Sequence, residues 1–294
     1  MTSARTSNSV RRLTPVLALA LTACAGLGCS SGSSSKKSER RSSAAAAAAP
    51  LPAVTGKTVV SLDGVAAWDA LAAGEKAKVT SYGTLFLHQS VGQDLEDGAE
   101  AAGFKFSYYG PDHQLSAGLN GGIFVDVKPG LANGNPAEKL AVFKDAVLRN
   151  ESGLRVAALK LGYADVRAAD LASVQAQYQT MAGELRAAGV RVLHITPPLV
   201  FDTAENPPKI AMRTWMLATF KSDIVFDLQD IESQSGGARC EIGGVWRICA
   251  QNRSTSACPS KSQGVDGDGA GHLCEREAGR IAKALLYSIY RAGS

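Results

Sequence analysis

The chain has 294 residues, of which 45% are hydrophobic and 20% are charged, and these proportions are typical of a soluble globular protein. Part of its formal net charge of +4 comes from a basic cluster in the N-terminal region, whereas the chain from Lys57 onward is close to neutral. The composition therefore excludes the strongly basic character of nucleic-acid-binding proteins, and it leaves room for one large domain or two small ones.

The first 29 residues carry the pattern of a bacterial export signal. Three arginines within residues 1–12 precede a short apolar segment, Leu13–Ala23, which is too short to span a bilayer. The following Cys24 completes a sequence that resembles a lipobox, in which the cysteine is lipidated and becomes the mature N-terminus; Cys29 is a second candidate. The alternative is an ordinary secretory signal with two incidental cysteines. Either way we expect an exported protein, and the lipobox predicts a lipoprotein anchored to a membrane of the cell envelope.

Residues 30–56 separate this signal from the rest of the chain. They are serine-rich, then basic, then alanine-rich, and they end in a proline-containing segment. Such a stretch buries too little apolar surface to fold, so it predicts a disordered tether. The remaining residues, 57–294, are predicted to form one folded domain.

Apolar runs predict five strands in this domain, and amphipathic segments predict helices between them. The predicted strands are Thr84–Leu87, Phe104–Tyr109, Leu154–Leu161, Val190–Ile195 and Ile224–Phe226. The predicted helices are Val65–Ala73, Val91–Ala102, one that starts at Pro136, Ala168–Ala188, Ile210–Phe220 and Glu275–Tyr290. Because strands alternate with helices, the sequence predicts an α/β fold with a parallel sheet covered on both faces. The Gly- and Asn-rich stretch Gly110–Pro136 is predicted to be a long functional loop.

Four cysteines fall in the last quarter of the chain, and an even number in an exported protein indicates disulfides. Three pairings are possible. We favour Cys240 with Cys249, because the residues between them are centred on Gly243-Gly244 and predict a hairpin; Cys258 then pairs with Cys274. A zinc site is the alternative, but the spacings include no C-x-x-C, and we expect neither a metal nor a cofactor. The four cysteines predict a disulfide-bonded insertion in the α/β domain.

Ser90 follows the first predicted strand and stands just ahead of the next helix. Its hydroxyl is expected at the carboxyl edge of the sheet, where open α/β sheets bind ligands, and the N–H groups of the helix start can stabilise an oxyanion. The structural alternative is that Ser90 only caps the helix. A nucleophilic serine also needs a base and an acid that orients this base. His272, in a glycine-rich segment before the last helix, is the natural base, with Asp268 or Asp266 as the acid.

The order of these segments resembles the SGNH/GDSL hydrolase superfamily, and the His-Gln-Ser-Val-Gly sequence of residues 88–92 is similar to an uncharacterised bacterial branch of it. The resemblance extends over about residues 85–286 and includes the Gly/Asn loop around residue 134, the block Gly162–Asp165 and an Asp-Gly…His-Leu segment before the last helix. It implies a three-layer α/β/α, flavodoxin-like fold and ester hydrolysis, often of acyl groups on carbohydrates or lipids. Ser90 then matches the nucleophile, His272 the base, and the N–H groups of Ser90 and Gly134 match the oxyanion donors.

Three positions depart from the family's pattern. The usual Gly-Asp-Ser reads His-Gln-Ser here, Asp268 stands one residue further from His272 than usual, and the usual oxyanion asparagine is Ala164. Losing one oxyanion donor costs ~10²–10³ in turnover unless another group replaces it. The side chains predicted to bind substrate or the oxyanion are those of His88, Gln89, Asn133, Asn135, Tyr163 and Asp165.

These observations leave two hypotheses about function. The first is a lipid-anchored serine hydrolase that acts on a small-molecule or glycan ester with Ser90, His272 and Asp268. The second is a catalytically impaired module on the same fold that binds glycan or peptidoglycan fragments, and Ala164 favours it. Membrane contact is expected through the anchor alone, and nucleic acid is not an expected partner. His194 is predicted to be a hydrogen-bonded core histidine, and His113 an exposed loop residue.

Overall fold

A computed structural model describes residues 54–109, 120–124, 131–150, 153–262, 264 and 271–294. The predicted signal peptide, both candidate lipidation cysteines and the tether up to residue 53 therefore lie outside the described residues. So do His113, Asp266 and Asp268.

The centre of the fold is a seven-stranded sheet in which every pairing is parallel. Its strands are β1 Val59–Val60, β2 Thr84–His88, β3 Ser107–Tyr109, β4 Asn120–Phe124, β5 Val156–Leu159, β6 Arg191–Ile195 and β7 Val225–Phe226. Their order across the sheet is β1-β7-β6-β5-β2-β4-β3. The chain thus goes from β2 to β3 and β4 on one side of the sheet and continues from β5 on the other. The two halves meet between β2 and β5, where Thr84 pairs with Val156.

Helices cover both faces of this sheet, as the alternating pattern predicts. They are α1 Asp63–Ala70, α2 Ala73–Ser81, α3 Val91–Ala101, α4 Pro136–Arg149, α5 Leu171–Ala187, α6 Pro207–Thr219, α7 Leu228–Glu232 and α8 Glu275–Gly293. On one face α3 and α8 pack around Phe86 and Ala158 of the sheet. On the other, α4, α5 and α6 pack on Leu85, Leu87 and Leu159. Because successive strand residues point to opposite faces, each buried strand supplies both cores.

The prediction of a mixed α/β fold with a parallel sheet is confirmed, but several elements differ from it, and neither β1 nor α7 was predicted. The loop predicted for Gly110–Pro136 contains β4, whose Asn-Gly-Gly-Ile-Phe sequence has neither the alternation nor the β-branched run that marks a strand. The helix α2 was not predicted, since it buries only Val79 and has no apolar stripe. The strand predicted from Phe104 begins only at Ser107, because Phe104 packs into the core beside α3 instead of pairing.

The cysteine-rich insertion has the predicted pairing. Cys240 is bonded to Cys249 and Cys258 to Cys274, with Cα–Cα distances of 5.4 and 5.3 Å. The predicted hairpin is formed by β10 Glu241–Ile242 and β11 Val245–Trp246, and β8 Gln234–Ser235 with β9 Ala238–Arg239 forms another just before it. These disulfides fit an oxidising, exported environment. In the described part of the chain, no helix has the length and apolar character needed to cross a membrane.

Candidate active site

Ser90 lies at the junction of β2 and α3 in a strained backbone conformation. Its φ of 56° and ψ of −118° make it the single non-glycine residue with positive φ in the described part of the chain, and such a conformation costs about 1–3 kcal/mol. The turn is also tight: a Cβ placed on Gly92 would lie 2.3 Å from the His88 Cβ. Ser90 occupies the N-cap position of α3, but its hydroxyl makes no capping hydrogen bond. The hydroxyl is therefore not used to cap the helix, and the structural alternative is not supported.

The Ser90 hydroxyl faces a histidine–aspartate pair. Ser90 Oγ lies 3.2 Å from His272 Nε2, and His272 Nδ1 lies 3.1 Å from Asp94 Oδ2. With the Nδ1 proton donated to the carboxylate, Nε2 is free of a proton and can accept the one on Ser90. The structure thus brings together Ser90 and His272, as predicted, although they are 182 residues apart.

The carboxylate at His272 comes from Asp94, which sequence reasoning missed. Asp94 is 1% exposed, and it also accepts hydrogen bonds from Leu273 N at 2.9 Å and Ser260 Oγ at 2.5 Å. These bonds hold the Asp94 carboxylate against Leu273, the residue after His272, and against Ser260, twelve residues before it. The signal in the sequence was an acidic residue four positions after Ser90, one helical turn further along the same face of α3. The predicted acid, Asp268, lies outside the described residues.

A second cluster of polar groups surrounds the buried ammonium of Lys139, which sequence reasoning also missed. Lys139 Nζ donates to Asp165 Oδ2 at 2.7 Å, to Gln89 Oε1 at 2.9 Å and to Asn133 Oδ1 at 3.4 Å. Three of the predicted site residues therefore meet at one cation, and Gln89 connects this cluster to Ser90 along the backbone. The signal available in the sequence was a lysine on the buried face of a helix, next to Leu140 and its apolar neighbours.

The oxyanion prediction for Gly134 requires a correction. Its N–H donates to Asp165 Oδ1 at 2.8 Å, so this donor is already occupied by a carboxylate. Asn133 offers a replacement: its side-chain oxygen faces Lys139, which leaves its Nδ2 group as a donor on a largely exposed residue. The N–H of Ser90, at the positive end of α3, is the other candidate.

Among the remaining predicted side chains, those of His88 and Asn135 make structural contacts around the site. His88 is 1% exposed and its Nε2 lies 2.7 Å from Glu96 Oε2. This contact joins the end of β2 to α3. Asn135 caps α4 by accepting the Glu138 N–H at 3.4 Å. Tyr163 is half-buried in the single helical turn Tyr163–Asp165 that follows β5.

His194 was predicted to be a satisfied core histidine, and the structure confirms this. Its Nδ1 lies 3.1 Å from the Tyr178 hydroxyl and its Nε2 lies 3.2 Å from Asp223 Oδ2. The ring stacks on Phe220 with a centroid distance of 3.8 Å. Both nitrogens are thus occupied inside the core.

Two buried ionisable groups lie behind the site. The Lys160 side chain packs against the Ser90 turn, since a Cβ on Gly92 would be 2.8 Å from its Cε, and its amine has no hydrogen-bond partner within the described residues. Burial, helped by the nearby charge of Lys139, lowers the pKa of Lys160 to about 8. Glu232 accepts the Leu199 N–H, and burial raises the pKa of its carboxyl well above the ordinary value. The turn that carries Ser90 therefore packs on a buried amine whose charged form is disfavoured.

The chain matches no protein-family model and shows no significant similarity to a curated protein. Its chemistry has to be inferred from the site itself. A serine hydroxyl, an imidazole and a buried carboxylate linked in this order form the arrangement that activates a serine for attack on a carbonyl carbon.

Proposed function

We propose that this protein is an exported serine hydrolase that cleaves esters. The observation that carries the proposal is the continuous contact from Ser90 through His272 to Asp94, since each member has the partner its role requires. Ser90 is the nucleophile and His272 is the general base. Asp94 orients the imidazole and stabilises its protonated form. The acid assigned here replaces the Asp268 expected from the sequence.

In the proposed reaction, Ser90 Oγ attacks the ester carbonyl carbon while its proton passes to His272 Nε2. Asp94 stabilises the resulting imidazolium through the Nδ1 hydrogen bond. His272 then returns the proton to the leaving alcohol, and an acyl-enzyme remains on Ser90. Water attacks this acyl group in the second half-reaction, with His272 again as the base.

The oxyanion of each tetrahedral intermediate needs donors near Ser90. We assign this role to the Ser90 N–H and to Asn133 Nδ2, because the Gly134 N–H is bound to Asp165. Lys139 positions Asn133 and Gln89 by donating hydrogen bonds to their side-chain oxygens. The amide nitrogens of the two side chains therefore point away from Lys139. In this proposal Asn133 takes the part of the donor lost at Ala164.

The place of the site in the fold supports the proposal. Ser90 follows β2 and the Gly162–Asp165 block follows β5, so both lie at the carboxyl edge where the strand order reverses. Open α/β sheets bind ligands at this position. The order of β4, β2, β5, β6 and β7 is that of the flavodoxin-like arrangement, and together with the resemblance to SGNH/GDSL hydrolases it favours the three-layer assignment. The predicted lipid anchor at Cys24 remains part of the proposal.

The test is labelling of the full chain with a fluorophosphonate probe, followed by peptide mapping. We expect a single adduct at Ser90 that disappears in Ser90→Ala and persists in Ser173→Ala, a control for an exposed serine on α5. Ester hydrolysis should likewise be lost in Ser90→Ala and retained in Ser173→Ala. A folded protein that takes no label, or one that is labelled and active after Ser90→Ala, would overturn the assignment.

A second candidate function is the binding of glycan or peptidoglycan fragments without turnover. Two observations favour it: Ala164 replaces an oxyanion asparagine, and the Gly134 N–H is committed to Asp165. Binding of such fragments by an unmutated protein that takes no fluorophosphonate would support this candidate over the hydrolase.

A further inference from the structure

Four arginines stack on two aromatic rings in and beside the disulfide-bonded insertion. Arg213 and Arg239 lie over the Trp246 ring, with the guanidinium carbon 4.7 and 3.8 Å from its centroid. Arg247 and Arg253 lie over the Phe201 ring at 4.2 and 4.6 Å. Each ring thus has two cations on it, and two like charges held close together require compensation.

The compensation differs between the two rings. Arg213 forms a bidentate pair with Asp227, with its closest contact at 2.6 Å, and Arg239 pairs with Asp230 at 2.5 Å. Arg247 has no carboxylate within ion-pair distance in the described part of the chain, and its Nε is buried with no hydrogen-bond acceptor. A buried donor on a charged group that lacks an acceptor is costly. Within the described residues the charge of Arg247 is therefore uncompensated, which makes its guanidinium a candidate site for an external anion.

Arg247 is also held in place by the fold. It follows β11, its N–H donates to the Cys240 carbonyl at 3.0 Å, and the Cys240–Cys249 disulfide closes the hairpin around it. The residue is half-buried. A guanidinium fixed in this way loses little conformational entropy when it binds a carboxylate or phosphate.

The chain segments that carry Phe201 and Arg247 contact the residue that precedes His272. A Cβ placed on Gly271, the residue before His272, would lie 2.7 Å from the Leu199 carbonyl oxygen and 3.5 Å from the Ile248 side chain. Ile248 directly follows Arg247, and Leu199 is two residues before Phe201. The peptide segment that carries His272 therefore passes between the two segments that carry Arg247 and Phe201.

The Arg253 side of the ring is equally close. The N–H of Ser254, the next residue, donates to the His272 carbonyl at 2.7 Å, and Arg253 itself forms a β-bridge with Leu273. The chain segments that carry the two guanidinium groups on Phe201 thus both contact residues 271–273.

From this arrangement we infer that Arg247, stacked on Phe201, binds an anionic group of the substrate, a carboxylate or a phosphate carried by the ester. This inference rests on the proposed hydrolase function and narrows its substrate class to esters with a negatively charged non-reacting part. Arg247 is a specificity-determining residue in this scheme, and it takes no part in the proton transfers at Ser90.

The test compares matched aryl acetates as substrates of the full chain: 4-acetoxybenzamide (neutral), 4-acetoxybenzoate (carboxylate) and 4-acetoxyphenyl phosphate. We expect kcat/KM to be about 10-fold higher for an anionic ester than for the neutral one, since a hydrogen bond to a charged group has this worth. The preference should decrease with added salt. The carboxylate and phosphate esters then show which anion is favoured.

Arg247→Gln should abolish the preference, because KM for the anionic esters should rise to that of the neutral ester. Arg247→Lys, which keeps the charge but not the planar fork, should retain part of it. The matched control is Arg155→Gln: Arg155 also stacks on an aromatic ring, Tyr82 at 5.0 Å, but it is exposed and stands at the opposite, amino edge of the sheet. Equal kcat/KM for all three esters, or a preference that survives Arg247→Gln, would overturn the inference.

Calorimetric binding of benzoate and phenyl phosphate to the Ser90→Ala protein separates this inference from the proposed function. If Ser90 takes no fluorophosphonate but these anions bind and Arg247→Gln removes the binding, the anion site stands and the hydrolase falls. If esters are hydrolysed but neither anion binds, the hydrolase stands and the anion site falls.

Discussion

Two histidines of this chain are each held between a carboxylate and a hydroxyl, yet only one of them is placed to carry out the proposed reaction. His272 lies between Asp94 and the Ser90 hydroxyl at 3.1 and 3.2 Å. His194 lies between Asp223 and the Tyr178 hydroxyl at 3.2 and 3.1 Å. The distances are nearly the same, so hydrogen-bond geometry alone does not define an active site.

The two triplets, Ser90–His272–Asp94 and Tyr178–His194–Asp223, differ in the solvent exposure of their histidines. The side chain of His272 is 15% exposed, whereas that of His194 is fully buried. Burial is the main effect on the pKa of His194, and it lowers that pKa despite the neighbouring Asp223; burial likewise raises the pKa of the Tyr178 phenol. A phenol whose ionisation is disfavoured and an imidazole whose protonated form is disfavoured are poorly suited to act as nucleophile and base.

The backbone explains why the access differs. His194 lies inside β6, where pairing with β5 and β7 fixes its ring between α5 and α6. His272 lies on a loop, next to Gly271 with φ of 113°, a conformation open to glycine. The serine it faces is strained at the end of a strand, and the tyrosine of the other triplet is in the middle of a helix. Catalytic groups at element ends can meet a substrate.

The largest effect that separates the two triplets comes from replacing each histidine by glutamine. His272→Gln should lower ester turnover by on the order of 10⁴–10⁶ with little change in stability, because the side chain reaches solvent. His194→Gln should leave turnover per folded molecule unchanged but lower the free energy of unfolding by about 2–4 kcal/mol, since buried partners lose their hydrogen bonds. Steady-state kinetics and urea unfolding of both variants give the comparison. Equal losses of turnover in the two would contradict it.

The next effect concerns the carboxylates. Asp94→Asn should lower kcat by about 10⁴, because the amide no longer stabilises the imidazolium and favours the wrong tautomer. Asp223→Asn is the matched control, since it makes the same change at His194 and should leave kcat intact. Kinetics across pH 6–9 should show the Asp94→Asn loss throughout this range. If Asp94→Asn retained full kcat, another carboxylate would have to orient His272, and the segment containing Asp268 would become the place to look.

How far the sequence could predict the site depends on the separation of its parts. Ser90 and His272 were found because a serine after a buried strand and a histidine before a helix are local patterns. Asp94 was missed, although it is only one turn from Ser90, because an acidic residue on a helix is ordinarily solvated. Its burial depends on residues distant in sequence, Ser260 and Leu273, which donate hydrogen bonds to it. Lys139 was missed for the same reason. The fold class followed from alternating strands and helices, whereas β4 pairs through a glycine-rich sequence that carries no strand signal of its own.

A third effect concerns the charges behind each triplet. Asp223 is paired with Arg186 as well as His194, whereas Lys160 behind Ser90 has no partner within the described residues. Its pKa is about 8 in the folded protein, against 10.5 ordinarily. The unfolded chain therefore binds more protons between these values, so stability rises with pH there and is lowest below pH 8.

Lys160→Met should accordingly raise the free energy of unfolding by about 3 kcal/mol near pH 6.5, and the gain should fall to roughly half of this at pH 9.5. Lys221→Met, at an exposed position, is the control and should change little. Urea unfolding at the two pH values measures both. A gain that does not depend on pH would mean that packing, and not charge burial, causes it.

The smallest effect tests the strain that distinguishes Ser90 from Tyr178. A serine at φ of 56° raises the free energy of the native state, and glycine adopts this region without that strain. Ser90→Gly should therefore be more stable than Ser90→Ala by about 1 kcal/mol, because the relief of ~1–3 kcal/mol of strain is offset by the greater entropy of glycine in the unfolded chain. Both variants lack the hydroxyl, so their difference in urea unfolding isolates the backbone. If alanine were as stable as glycine, the turn would be unstrained, and Ser90 would owe its exposure to its place at the strand end alone.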